Sequence, residues 1–260
     1  MFKGKCAVIT GSTQGLGYAM AERLAANGCN VMLNGFGDAA EIEAKRRQLE
    51  ERHGVRACLH GADLSDADQV AELVGATEKT FGTVDILINN AVVRHFGPVE
   101  DFRPQDWDEA LAVNLSSAFH ATRLALPGMR RRDFGRIVNI SSVFGLFGTV
   151  NRVAYVTTKT ALIGFTRAVA LETAGENITC NAICPGTSAT PAIEERLAGV
   201  MAKEGLSREA ALRTFMASRQ PSGRFVSPDG VAALVAFLCG PAAADITGAA
   251  IPVDGGWSVA

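Results

Sequence analysis

Tyr155 and Lys159 stand four residues apart within a stretch, Val153 to Ala174, whose apolar residues recur with a helical period. On a helix such positions share one face, so the spacing brings an ammonium close to a phenol. A phenol titrates near ~10 in water and is a poor base at neutral pH, but a neighbouring cation favours the phenolate and makes proton transfer practicable. Ser142, at the end of the apolar run Ile137 to Ile140, can hydrogen-bond an oxygen whose charge changes in that transfer. A Tyr-x-x-x-Lys pair is common on protein surfaces and gains meaning only from what accompanies it.

A second group of residues suits a phosphate ligand. Thr10-Gly11-Ser12-Thr13-Gln14-Gly15-Leu16-Gly17 lies between an apolar run and a helical stretch. Gly11 suits a tight turn, Gly15 lets the main chain approach a pyrophosphate, and Gly17 permits close packing of helix on strand. The loop predicts a dinucleotide site built from Gly11, Thr13, Gln14, Gly15, Leu16 and Gly17. The next strand ends Asn34-Gly35-Phe36-Gly37, with no acid until Asp38 and no cation until Lys45. Without a cation to pair with a 2′-phosphate, NAD is favoured and NADP stays possible, with Phe36 beside the adenosine. Asp63 and Leu64 are placed to bracket the adenine, although Asp63 also suits a turn cap.

These residues need elements to hold them. Short apolar runs at Ala7–Ile9, Val31–Leu33, Ala57–Leu59, Ile86–Ile88, Ile137–Ile140, Ile178–Ile183 and Ala250–Val253 read as strands. Between them, Leu16 to Asn27, Ala39 to His53, Asp66 to Phe81, Pro104 to Arg131 and Val153 to Ala174 read as helices, with Asp38 and Asp66 as N-caps, Pro104 in a first turn and Gly28 past a helix end. The alternation predicts an α/β fold, a doubly wound Rossmann-like parallel sheet of about seven strands with helices on both faces. Residues 1–260 are expected to form one domain. The segment 187–226 interrupts the alternation, is helix-prone around Ile193 to Lys203 and Ser207 to Ser218, and is expected to act as a substrate lid.

Composition narrows the function classes. With 48% hydrophobic and 20% charged residues the chain has the material for a covered sheet, and a net charge of −2 gives no reason to expect nucleic acid or anionic lipid as a partner. The N-terminal apolar run is too short for a signal peptide or a membrane span, so a cytoplasmic protein is expected. Six dispersed cysteines show no zinc-ligand spacing and read as reduced packing residues, with no metal expected.

Taken in order, Thr10-Gly11 through Gly17, Asn89-Asn90-Ala91, Asn114, Ser142, Tyr155 to Lys159, Asn181, Pro185-Gly186 and Asp254-Gly255-Gly256 match the pattern of the short-chain dehydrogenase/reductase family. Over essentially its whole length the chain resembles a member of that family. The resemblance implies an NAD(P)-dependent oxidoreductase that moves a hydride between nicotinamide and a secondary alcohol or ketone. It makes Tyr155 the acid/base, gives Lys159 the nicotinamide ribose and the tuning of the tyrosine, gives Ser142 the substrate oxygen, and gives Asn114 a water in a proton relay. It adds Asn90, Ala91, Tyr155, Lys159, Pro185, Gly186 and Thr187 to the cofactor site and implies a homotetramer. Val92 stands where the family usually has glycine.

Within the family, Asn34-Gly-Phe-Gly37, Ala62 to Asp66, Asn181 to Gly186 and the ending Asp254-Gly-Gly-Trp257 are similar to bacterial D-3-hydroxybutyrate dehydrogenases. Those enzymes hold a small carboxylate with Gln, His, Lys and Gln, at positions that fall here on Arg94, Phe144, Arg152 and Arg196. Guanidinium forks suit carboxylate, sulfonate or phosphate oxygens, so the expected partner is a small anionic substrate, either a hydroxy acid such as 3-hydroxybutyrate or a sugar acid or sulfonated sugar of the sulfoquinovose type. Surface charge is the plain alternative for any one arginine, and His95 reads equally as a substrate contact or a loop anchor. The rival functions are a 3-oxoacyl thioester reductase and, from another class, a nucleotide-sensing regulator without turnover.

Overall fold

The five inner apolar runs form strands buried on both faces, whereas the edge runs Ala57–Leu59 and Ala250–Val253 are only partly covered. In the computed structural model, which describes residues 1–189, 191–217 and 219–260, the strands are β1 (Cys6–Ile9), β2 (Asn30–Asn34), β3 (Ala57–His60), β4 (Ile86–Asn89), β5 (Gly135–Ile140), β6 (Ile178–Pro185) and β7 (Ala250–Val253). They make one parallel seven-stranded sheet in the order β3-β2-β1-β4-β5-β6-β7. Thr190 and Ser218, both inside the expected lid, lie outside the described residues. Chain direction across the sheet reverses between β1 and β4, where Ile9 pairs with Leu33 on one side and Ile88 on the other. At such a switch point the loops beyond the strand ends diverge and leave a crevice.

The helices are α1 (Gly15–Ala26), α2 (Ala39–His53), α3 (Ala67–Phe81), α4 (Pro104–Leu111), α5 (Ser117–Arg131), α6 (Val153–Glu172), α7 (Pro191–Glu204), α8 (Arg208–Met216) and α9 (Pro228–Cys239). Alternate strand residues feed two cores. Ala7, Ile9, Val31 and Leu33 pack under α1 and α9 with Met20, Leu24, Val231 and Val235. Val8, Met32, Leu87 and Ile137 face α3, α5 and α6 with Val70, Leu73, Met129 and Val169. Asp38 caps α2 by accepting from the Glu41 amide, and Asp66 caps α3 through the Asp68 amide. Among the described residues no helix is long and apolar enough to cross a membrane.

Two sequence expectations change. Pro104 to Arg131 is not one helix, because a π-helical turn at Ala112–Ser116 separates α4 from α5. The wider turn carries Asn114 inward, where its side chain accepts from the Val93 amide at 2.8 Å and donates to the Val93 carbonyl at 3.1 Å. The second change is α9, whose buried Val231, Ala232, Val235, Ala236, Leu238 and Cys239 leave little amphipathic period to read.

Glycines separate packing need from tolerance. A Cβ at Gly17 would press on Gly11 O, the Asn90 amide and Ser12 Cα, the crossing of α1 over the loop after β1. A Cβ at Gly75, exposed on α3, would meet nothing within 4 Å. Gly17→Ala is therefore expected to cost about 1–3 kcal/mol by overpacking, and Gly75→Ala to add roughly 0.5–1 kcal/mol by relieving the helix of a glycine. Urea denaturation of both variants checks this, and equal shifts of the same sign would refute the packing difference.

Candidate active site

Beyond the carboxyl end of β1 the chain turns at Gly11, with φ +61°, and enters α1 at Gly15, with φ +56°. Gln14 makes no side-chain cap bond and the first turn of α1 holds no acid, so its amides face an uncapped, electropositive end. A Cβ at Gly15 would find open space, which leaves the main chain approachable. Asn90 braces the loop by donating to the Thr10 and Gly11 carbonyls at 2.9 Å each, and the Asn90 and Ala91 amides both donate to Thr10 Oγ1. The cradle fits a pyrophosphate. Leu16 packs partly buried against the core beneath it.

The adenosine end contains a residue the sequence reading placed too far away. Phe36 is 64% exposed, and its carbonyl accepts from Thr13 Oγ1 at 3.0 Å. Lys45, remote in sequence, donates from Nζ to the Thr13 carbonyl at 3.0 Å. The expectation of a loop without a nearby cation is thus corrected, because α2 folds its second turn back over the glycine loop. Leu64 is buried, whereas the exposed Asp63 accepts from the Ser65 amide at 2.9 Å and hydroxyl at 2.8 Å, so its carboxylate serves a turn.

On the other side of the crevice, α6 packs on the chain that leaves β5. Lys159 is buried, its Nζ donating to the Ile140 carbonyl at 2.7 Å and lying 5.9 Å from the centre of the Tyr155 ring. Burial first, and the charge of Arg94 second, push the Lys159 amine from its usual 10.5 down to about 7. Ser141 Oγ donates to the Lys159 carbonyl at 2.7 Å, clamping helix to strand end. Ser142 caps a short 3-10 turn, Val143–Gly145, by accepting from the Phe144 amide at 3.2 Å, which leaves its hydroxyl hydrogen for another acceptor. Asn114 reaches the same region from the π-turn, with Nδ2 3.4 Å from Thr158 Oγ1. Helix spacing therefore delivers Tyr155 and Lys159, while Ser142 and Asn114 arrive through strand end and π-turn.

Beside Tyr155 lies a cavity of about 390 Å³ lined by Phe144, Phe147, Gly148, Thr149, Arg152, Thr187, Ile193, Arg196, Phe215, Arg219 and Trp257. Phe144, Phe147 and Trp257 pack edge to face at 5.3–5.9 Å. Arg152, before the first turn of α6, lies 4.4 Å from the Phe96 ring centre, 5.5 Å from that of Phe144 and 5.8 Å from that of Tyr155. Arg94, exposed on the loop after β4, stacks 5.5 Å from the Tyr155 ring outside the cavity lining. Arg196 comes from α7. Sequence reading missed Phe147, on the chain just after the Val143–Gly145 turn, and Phe215, Arg219 and Trp257, which come from α8, the chain after it and the C-terminal turn. It also missed Gln220, 1% exposed, which accepts from the Thr187 amide and donates to the Arg224 carbonyl at 2.5 Å. With the Gly186 amide bonded to the Val253 carbonyl at 3.0 Å, Gln220 fixes the chain beyond Pro185.

His95 accounts for itself as a loop anchor: Nε2 is 2.8 Å from Glu109 and Nδ1 3.7 Å from Asp106. These three residues also have the spacing of a metal group, but Asp106 is engaged by Arg103 at 2.5 and 2.9 Å.

Comparison with known proteins places this geometry. The family described as Enoyl-(Acyl carrier protein) reductase matches residues 11–258. The chain is 46% identical, over 99% of both chains, to a D-beta-hydroxybutyrate dehydrogenase of Cupriavidus necator, and 40% identical, over 98% of both, to one of Rhizobium meliloti. Its fold matches L-sorbose reductase from Gluconobacter frateurii, solved with NADPH and L-sorbose, with a TM-score of 0.92 at 30% identity, covering 100% of this chain and 98% of the other. The regulator without turnover loses its ground against enzymes of this likeness. The chain belongs to the short-chain dehydrogenase/reductase family and is a nicotinamide-dependent oxidoreductase.

Proposed function

We propose that the protein oxidises the secondary hydroxyl of a small hydroxy acid, of the 3-hydroxybutyrate kind, with NAD as its preferred dinucleotide. The observation that carries the reading is Arg152, whose guanidinium stands beside both the Tyr155 ring and the cavity. A thioester offers no charge to such a group, which favours the hydroxy acid over a 3-oxoacyl thioester. The α7–α8 segment covers the acid, and Gln220 ties its return to Thr187.

The bound nicotinamide ring supplies the hydride acceptor. Gly11, Thr13, Gln14, Gly15, Leu16 and Gly17 hold the pyrophosphate end, Phe36 and Leu64 flank the adenosine, and Asn90, Ala91, Pro185, Gly186 and Thr187 hold the nicotinamide end. Tyr155 Oη, as phenolate, takes the proton of the substrate hydroxyl. Ser142 Oγ, fixed by the Phe144 amide, donates to the same substrate oxygen and steadies it as it becomes a carbonyl. The buried Lys159 amine supplies the charge opposite the phenolate, and the phenolate in turn favours its protonated form. Because the side chain of Asn114 clamps Val93, a relay water at this turn is held by its main-chain carbonyl.

Catalysis and binding can be separated. Tyr155→Phe is expected to lower kcat by at least about a hundredfold while NADH fluorescence titration shows retained binding. Arg152→Ala is expected to raise KM for 3-hydroxybutyrate by roughly ten- to a hundredfold with little change in kcat, since its contact exists in ground and transition states alike. Oxidation of 3-hydroxybutyrate and neutral 2-butanol with equal kcat/KM by the wild type would sink the reading.

Lys159 also has a stability signature. Its folded pKa lies below the unfolded one, so between about 7 and 10.5 the unfolded chain binds the extra proton, stability rises with pH across that window, and the penalty is complete below it. In the absence of dinucleotide, Lys159→Met is expected to melt above the wild type at pH 6, by an amount that shrinks towards pH 10, while losing activity. A variant that melts lower at pH 6 would show that the Ile140 hydrogen bond outweighs desolvation.

The Lys45 contact makes the NAD preference modest. Phe36→Arg is expected to shift the kcat/KM ratio towards NADP, and Lys45→Ala to reduce whatever NADP activity the wild type has. A wild type that prefers NADP would overturn the cofactor assignment.

A further inference from the structure

The cavity carries more positive charge than one carboxylate can balance. Arg152, Arg196 and Arg219 line it, and among the described residues no Asp or Glu does. Six arginines elsewhere, Arg46, Arg47, Arg52, Arg103, Arg130 and Arg208, pair with a carboxylate within 3.3 Å, while among the described residues others such as Arg123, Arg167 and Arg213 do not, so what distinguishes the cavity is that three guanidiniums converge on one space. Among the described residues none of Arg94, Arg152, Arg196 or Arg219 has such a partner. Burial, then the charges of Arg94, Arg196 and Arg219, hold Arg152 below its ordinary value, with a Tyr155 phenolate as the one opposing charge.

The guanidiniums of Arg152 and Arg219 are held rather than loose. Arg152 rests on the Phe96 ring, and Arg219 stacks 4.3 Å from the Phe215 ring while its Nη1 donates to the Phe215 carbonyl at 2.6 Å. Stacking uses the faces of the guanidinium and leaves in-plane N–H donors for oxyanions. Gln220, buried next to Arg219 and bonded to the chain on both sides, fixes the backbone from which Arg219 projects. The four cations divide by position. Arg94 and Arg152 flank the Tyr155 ring, whereas Arg196 and Arg219 project from α7 and from the chain just after α8.

We propose that the site takes a hydroxy acid bearing two anionic groups, one held by Arg152 beside Tyr155 and a second, a carboxylate or another oxyanion, held by Arg196 and Arg219 across the cavity. The inference rests on the oxidoreductase reading above and makes Arg219 a specificity residue. A monoanion held by Arg152 leaves the Arg196 and Arg219 guanidiniums without a counter-charge and repelling each other. A second oxyanion removes that repulsion, and the Phe144, Phe147 and Trp257 wall requires the segment joining the two groups to be short and largely apolar.

The test compares 3-hydroxybutyrate with 3-hydroxyglutarate and 3-hydroxy-4-sulfobutyrate, which add a carboxylate and a sulfonate respectively, on wild type, Arg219→Met and Arg219→Lys. The wild type is expected to favour at least one dianion by tenfold or more in kcat/KM. Arg219→Met should lower kcat/KM for that dianion at least ten times more than for 3-hydroxybutyrate, and Arg219→Lys should recover part of the loss. Preference for 3-hydroxybutyrate over both dianions, or an equal loss on all three in Arg219→Met, overturns the inference and leaves the hydroxy-acid reading standing. Calorimetric binding of glutarate and butyrate to the NAD-saturated protein separates the other failure. Tighter glutarate binding that Arg219→Met abolishes, without oxidation of any hydroxy acid, supports the dianion site and rejects the hydroxy-acid reading. Absence of Arg219-dependent glutarate binding overturns the dianion site whatever the enzyme oxidises.

Discussion

A buried lysine, Lys159, holds the centre of this molecule. Its Nζ is bonded to the last carbonyl of β5, its own carbonyl accepts from Ser141, and one turn earlier the same helix presents Tyr155. An amine in that position is costly to charge, and the pressure of Arg94 adds to the cost. The fold tolerates it because the residues that bury it are those that bring strand end, 3-10 turn and helix together. Gly145 shows how tight the fit is: a Cβ there would lie 2.7 Å from the Lys159 carbonyl. The geometry of the proposed catalytic pair and local packing are one constraint in this region.

The same reasoning extends across the crevice. The glycine loop and the tyrosine helix lie on opposite sides of the switch point, joined through β4, whose continuation carries Asn90 to the loop and Val93 to Asn114. A single side-chain layer thus links the dinucleotide cradle to the π-turn without a flexible connection. Polar groups that would be expensive to bury alone satisfy one another, as in the pairing of Asn89 with Asn139 at 2.8 Å and of Asn139 with Thr166 at 2.8 Å below the active-site floor.

Much of this was legible in the sequence, for physical reasons. The five inner parallel strands are buried on both faces and leave short continuous apolar runs, the partly covered edge strands β3 and β7 still carry short apolar runs, and caps such as Asp38 and Asp66 marked the helices between them. Tyr155 and Lys159 are local neighbours, and the glycine loop is one contiguous segment. What could not be read depends on chain folding back from a distance. Lys45 reaches Thr13 only because α2 crosses the loop, and Arg219 reaches the cavity only because Gln220 pins the return of α8. The π-turn at Asn114 was hidden because an added residue in a helix barely changes its apolar period over one turn.

The arginine cavity extends the lysine's logic to the ligand. On the proposed mechanism the phenolate offsets the cost of charging Lys159, whereas Arg152, Arg196 and Arg219 have no carboxylate partner among the described residues. Aromatic faces under Arg152 and Arg219 reduce their exposure to one another but provide no net negative charge. On the proposed reading, the missing charge comes with the ligand. Arg152 belongs to the start of α6, and Arg196 and Arg219 to α7 and the chain just after α8, so an anion placed between them would offset the repulsion among the three cations. On that reading, a neutral alcohol of equal size would fill the space and leave that repulsion in place.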